Sequence, residues 1–144
     1  MFERYTKKAR RVVYFARYEA SEFGTDTLGT DLLLLGLLQE DPDLGKWLGI
    51  QHADLRETLI RQVATDKKIP TSVDMPMSAA AKQVFADAKE EAERMASSVI
   101  RTEHLLLGLL REQEGRAARL LEEHGGNLGG TRVTFGQRQK NPQD

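Results

Sequence analysis

The 144-residue sequence predicts an all-α fold, made by tandem duplication of one four-helix unit into a pseudo-twofold bundle. Two observations carry the prediction. Thr30, Leu33, Leu34, Leu35, Gly36, Leu37, Leu38 and Glu40 recur as Thr102, Leu105, Leu106, Leu107, Gly108, Leu109, Leu110 and Glu112, always 72 residues later (Thr30 to Thr102). The same ungapped offset takes Ala9, Val12, Ala16, Glu19 and Ala20 onto Ala81, Val84, Ala88, Glu91 and Ala92. Within both copies the apolar residues recur at i, i+3 and i+4, the spacing of one buried helix face.

Each copy opens with an amphipathic helix. Tyr5, Ala9, Val12, Val13, Ala16, Ala20 and Phe23 form the first stripe, and Ala81, Val84, Phe85, Ala88, Ala92 and Met95 the second. Thr6 and Ser78 stand at the N-cap positions, where a hydroxyl can accept from an unpaired backbone N–H. The second helix of each copy starts at Thr30 or Thr102, read as its cap, with an acid next to it that suits the helix dipole. Leu32–Leu38 is apolar almost all round, which places that helix at the centre. A mid-helix glycine costs about 1 kcal/mol against alanine, so Gly36 and Gly108 point to close helix–helix approach.

Asp43–Leu48 and Gly115–Glu123 read as short third helices and Ala53–Ala64 as a fourth, with Leu55, Leu59, Ile60 and Val63 on one side. The offset carries those four onto Asn127, Thr131, Arg132 and Phe135, and Gly125-Gly126-Asn127-Leu128-Gly129-Gly130 opposes a helix. The last helix of the second copy is therefore read as degraded, leaving seven helices. The resulting organisation is a single domain over 1–144: repeat one 1–65, a proline-bearing linker 66–76, repeat two 77–128, and an irregular tail 129–144.

Composition narrows the function. The formal net charge is −1, from 21 basic and 22 acidic residues, which gives no overall pull toward nucleic acid or an anionic membrane. There is no cysteine, hence no thiol chemistry. No apolar run approaches bilayer length and the N-terminus has no signal-peptide core, so the sequence reads as a cytoplasmic protein. His52, His104 and His124 are not at metal spacing and read as surface or boundary residues. No nucleophile–base pair has local support. Gly125 to Gly130 has phosphate-loop glycine spacing, but Thr131 stands where the lysine must be and no strand precedes it. These features predict no enzyme, no cofactor and no metal. On helix one, Arg4, Lys7, Arg11, Tyr14 and Tyr18 lie opposite the buried stripe and read as a solvated face.

Met1-Phe2-Glu3-Arg4-Tyr5-Thr6, Ala9-Arg10-Arg11-Val12-Val13, Gly29-Thr30-Asp31 and Thr102-Glu103-His104-Leu105-Leu106-Leu107-Gly108-Leu109-Leu110 resemble ClpC-type members of the Clp N-terminal domain family. The likeness runs from Phe2 to about His124 and includes the duplication. It implies a bundle that captures substrate proteins or adaptors for an ATP-driven Clp unfoldase and its protease. It also implies phosphoarginine sites, each with an acid at the start of a repeat's second helix near the hydroxyl that opens its first helix. Carried over, the acids are Asp31 and Glu103 and the hydroxyls Thr6 and Ser78, with Phe2 and Met77 in a peptide-binding groove. Asp31 stands where the family has Glu, Leu32 where it usually has His, and Met77 where Phe is frequent, which makes the Asp31 site the weaker one. Read without the resemblance, the acids are helix-start residues, the hydroxyls are caps, and Phe2 and Met77 close the ends of the bundle. The alternative function is a structural contact domain within or against a Clp ATPase ring. The altered fourth helix and polar ending favour a stand-alone recognition domain over a fragment of the ATPase.

Overall fold

The computed structural model describes residues 2–140, and among them are eight helices and no strand beyond two isolated bridges. The helices are α1 Lys7–Phe23, α2 Thr30–Glu40, α3 Pro42–Leu48, α4 His52–Val63, α5 Ala79–Arg94, α6 Thr102–Arg111, α7 Arg116–Glu123 and α8 Leu128–Lys140. Thr6 Oγ1 accepts from the Ala9 N–H at 3.2 Å and Ser78 Oγ from the Ala81 N–H at 3.0 Å, so both long helices are capped as their sequences predict. Residues Thr30 to Leu38 of α2 are buried throughout, as are Leu105 to Leu110 of α6, and the other helices wrap this central pair.

The two central glycines allow the packing. A Cβ on Gly36 would lie 2.5 Å from the Val12 carbonyl oxygen, and one on Gly108 would lie 2.5 Å from that of Val84. These contacts repeat at the same 72-residue offset, so each glycine is where a second helix backbone passes (Val12 to Val84). Arg11, early in α1, pairs with Glu40 at the end of α2, Nε to Oε1 2.8 Å. The α1–α2 hairpin is therefore antiparallel.

The two copies are joined by exchanged loops. Thr6 N–H donates to the Ile100 carbonyl (3.1 Å) and Ile100 N–H to that of Arg4 (2.9 Å). Their offset equivalents recur: Ser78 N–H donates to the Leu28 carbonyl (3.0 Å) and Leu28 N–H to that of Pro76 (2.9 Å). The connection between α4 and α5 lies along α1, held by Thr65 N–H on the Phe23 carbonyl (2.7 Å) and Ile69 N–H on that of Ser21 (3.0 Å). Arg17 adds hydrogen bonds to the carbonyls of Pro70, Thr71 and Val73.

Two sequence expectations are corrected. Thr30 and Thr102 do not cap their own helices, whose N-caps are Gly29 and Arg101. Thr30 Oγ1 instead accepts from the Ala117 N–H at the start of α7 (3.1 Å), and Thr102 Oγ1 donates to Asp41 Oδ2 just before α3 (2.8 Å). Each threonine ties its central helix to the other copy.

The second correction concerns the tail, where α8 forms a helix from Leu128 and makes eight rather than seven. Asn127 begins it, its Oδ1 accepting from Gly130 N–H (2.6 Å) and its carbonyl from Thr131 N–H (3.0 Å). The helix's own Thr131 and Phe135 are buried. Arg132 grips Glu91 of α5 with two bonds of 2.7 Å, which supplies the docking energy that the missing apolar stripe does not. Residues 141–144 of the expected tail lie outside the described residues.

Candidate functional site

The segments that carry the helix-start acids and the capping hydroxyls are joined by backbone hydrogen bonds across the copies rather than within them. In an antiparallel hairpin the start of α1 and the start of α2 are at opposite ends, roughly 15 Å apart along α2. That separates Thr6 from Asp31, against the within-repeat pairing that the resemblance implies. The bridges Tyr5–Ile100 and Leu28–Met77 set the actual partners. Thr6 lies beside the loop that enters α6 at Thr102-Glu103, and Ser78 beside the loop that enters α2 at Thr30-Asp31.

The two acids differ in setting. Asp31 is 6% exposed; its Oδ1 accepts from the Leu32 N–H (2.9 Å), and its Oδ2 is 3.9 Å from Arg116 Nε. Burial raises the Asp31 pKa above the ordinary carboxylate value, while the Leu32 N–H and Arg116 oppose the rise. Glu103 is half-buried in the first turn of α6. The ring of Phe2 packs edge-on to Tyr5 (4.9 Å between centroids) and Phe85 (5.4 Å), bringing one copy's N-terminus onto the other copy's first helix. Met77, the offset equivalent of Tyr5, is half-buried and pairs its backbone with Leu28.

Sequence reasoning missed two features around these loops. His104 is not a surface histidine: it is 1% exposed, and its Nδ1 accepts from the Arg101 N–H at 2.9 Å. Burial, with Arg101 adding to it, lowers its pKa to about 4, so it is neutral and fixed as an acceptor. The signal was its place in a repeated apolar run, opposite Leu32 in the first copy. Glu91 is the second, fully buried beneath Arg132, Arg111 (3.1 Å) and Arg94 (3.6 Å). Burial pushes its pKa up, but the arginine contacts outweigh that and leave it below the ordinary value. Its recurrence with Glu19 inside the helix-one register was visible, but its partners were not.

The polar face of helix one is largely self-satisfied, with Arg11 on Glu40 and Arg4 on the carbonyls of Ser97 (3.2 Å) and Ser98 (3.3 Å). Tyr14 and Tyr18 remain 65% and 45% exposed. Among the described residues no group of His, Cys, Asp and Glu has the arrangement to hold a metal ion, and no helix is long and apolar enough to cross a membrane.

Comparisons with known proteins agree on one architecture. A family model described as the Clp repeat (R) N-terminal domain matches residues 4–124. The chloroplastic chaperone protein ClpC of Pisum sativum is 40% identical over 129 residues, covering 87% of this chain and 14% of that protein. The ATP-dependent Clp protease ATP-binding subunit ClpA homolog of Guillardia theta is 39% identical over 126 residues, covering 85% of this chain and 15% of that protein. This chain thus spans about one-seventh of the length of such relatives. Among solved structures, the N-terminal domain of the chaperone ClpD from Arabidopsis thaliana superposes with a TM-score of 0.76 at 34% identity, covering 94% of this chain and 99% of that one.

Proposed function

The chain belongs to the Clp N-terminal domain family, and from that premise we propose that it is a non-catalytic protein-recognition domain. It binds substrate or adaptor proteins, including those marked by phosphoarginine, on behalf of a Clp unfoldase and its protease. The observation that carries this reading is the pair of cross-copy junctions, Thr6 with the Glu103 loop and Ser78 with the Asp31 loop. A carboxylate there pairs with a guanidinium, while first-turn N–H groups and a hydroxyl receive the phosphate. Phe2 and Met77, half-buried beside these junctions, give apolar contact to the peptide that carries the mark.

The two junctions are unequal. At Asp31 an incoming guanidinium competes with Arg116 for a short, buried carboxylate. Glu103 is one methylene longer and less buried. One charge-assisted contact is worth about 1.5–3 kcal/mol, or roughly one to two decades in affinity. Calorimetric titration with free phosphoarginine tests this. Glu103→Gln is expected to weaken binding more than Asp31→Asn, and wild-type affinity in both variants would leave the acids as helix-start residues only.

Action against a Clp ATPase in the cytoplasm is part of the proposal. The pea relative is named as chloroplastic, and fractionation of the source cells decides the compartment.

A further inference from the structure

In the second copy a guanidinium is built into the angle between α5 and α6. Arg111 lies 3.3 Å from Asp87, 2.8 Å from Glu90 and 3.1 Å from Glu91. Glu91 carries the Arg132 fork at the same time, so a carboxylate at this place hydrogen-bonds two guanidinium groups, with that of Arg94 a further 3.6 Å contact. Moved back along the 72-residue offset, Asp87 becomes Phe15, Glu90 becomes Tyr18, Glu91 stays an acid as Glu19, and Arg111 becomes Gln39. At this equivalent place, between α1, α2 and the start of α4, there is a cavity of about 260 Å³. It is lined by Tyr14, Phe15, Tyr18, Glu19, Gln39 and His52 among others.

The lining suits a cation. The Glu19 side chain is 14% exposed, and Arg56 reaches it through one bond, Nε to Oε2 at 2.7 Å, while its guanidinium lies over Phe23. That geometry leaves Glu19 with the two-guanidinium capacity that Glu91 uses. Tyr14 and Phe15 are set edge to face, 5.6 Å between centroids, and Tyr18 is close by on the next turn. Aromatic faces attract a guanidinium, arginine more than lysine, and a partly desolvated site strengthens the attraction. Arg11, which reaches the end of α2, is paired with Glu40.

We propose that this cavity is a binding site for an arginine side chain of a partner polypeptide, seated against Glu19 and the tyrosines as Arg111 is seated against Glu91. The site shares no residue with the junctions of Thr6, Ser78, Asp31 and Glu103, and uses an unmodified guanidinium.

The test is a two-dimensional amide NMR titration of the full chain with N-acetyl-arginine amide, its uncharged isostere N-acetyl-citrulline amide, and N-acetyl-phenylalanine amide. The expected result is saturable shifts centred on residues 14–19 and 35–39. Arginine should bind roughly tenfold more tightly than citrulline, the worth of one charge-assisted contact. Gln39→Arg, which places the chain's own guanidinium where Arg111 stands, should abolish these shifts while keeping the fold. Tyr18→Ala should weaken binding and serves as a second, fold-sparing variant. Equal binding of arginine and citrulline, tighter binding of phenylalanine, shifts centred elsewhere, or unchanged binding in Gln39→Arg would each overturn the proposal.

Discussion

His104 occupies the first turn of α6, buried, with its Nδ1 accepting from a backbone N–H. Its folded pKa is about 4 against the ordinary 6.5, so between these values the unfolded chain binds more protons than the folded one. Stability is therefore full above pH 6.5 and falls as pH drops toward 4. Between pH 7 and pH 5 the loss should be about 2 kcal/mol, measured by urea unfolding. His104→Leu, which installs the residue the first copy has at Leu32, should flatten that slope at some cost in stability. An unchanged slope would assign the pH dependence elsewhere. Gly36 offers a second residue-level test. Alanine there gains helix propensity of about 1 kcal/mol but drives a Cβ to 2.5 Å from the Val12 oxygen. Forced separation of packed helices costs about 1–3 kcal/mol, so Gly36→Ala should lower the unfolding midpoint. The close approach was legible because the glycine recurred in both copies; the burial of His104 was legible only through its register with Leu32, since a histidine taken by residue type alone reads as a surface residue.

At the scale of the element, α8 is where local sequence and tertiary structure disagree. Its three glycines and missing stripe argue against a helix, and that argument is sound for the segment alone. The deciding interactions are distant in sequence: the Arg132 fork on Glu91, and Phe135 against the core. The first copy has a counterpart in Arg56 of α4 on Glu19 of α1. An acid that recurs in a helix of buried Ala and Val needs a cation beside it, and that need was readable from Glu19 and Glu91. Arg132 as the answer was not, because it falls at the offset of Ile60 rather than of Arg56. Arg132→Ala leaves Glu91 with Arg111 and Arg94, so the body of the domain should stay folded. Amides of residues 130–137 should then exchange at least about tenfold faster, a change near 1.4 kcal/mol, while those of α5 and α6 do not change. Uniformly faster exchange through all three helices would show that α8 is instead an inseparable part of the core. Glu91, with its lowered pKa, stabilises this docking above the unfolded carboxylate pKa, and the contribution is lost as pH falls through the folded value.

For the whole molecule, the duplication was plain in the sequence and the exchange between copies was not. The resemblance, read one repeat at a time, implies Thr6 with Asp31 and Ser78 with Glu103. Antiparallel packing of α1 on α2 separates those pairs, and the loops entering α2 and α6 join the other copy's first helix. The central claim is that ligand recognition occurs at junctions between the copies. A double-mutant cycle on phosphoarginine affinity tests it most directly, using Thr6→Gly, which removes the hydroxyl but retains most of the cap, with Glu103→Gln and separately with Asp31→Asn. Thr6 should couple to Glu103 by more than about 0.5 kcal/mol and be additive with Asp31. Coupling of Thr6 to Asp31, with additivity toward Glu103, would contradict the account.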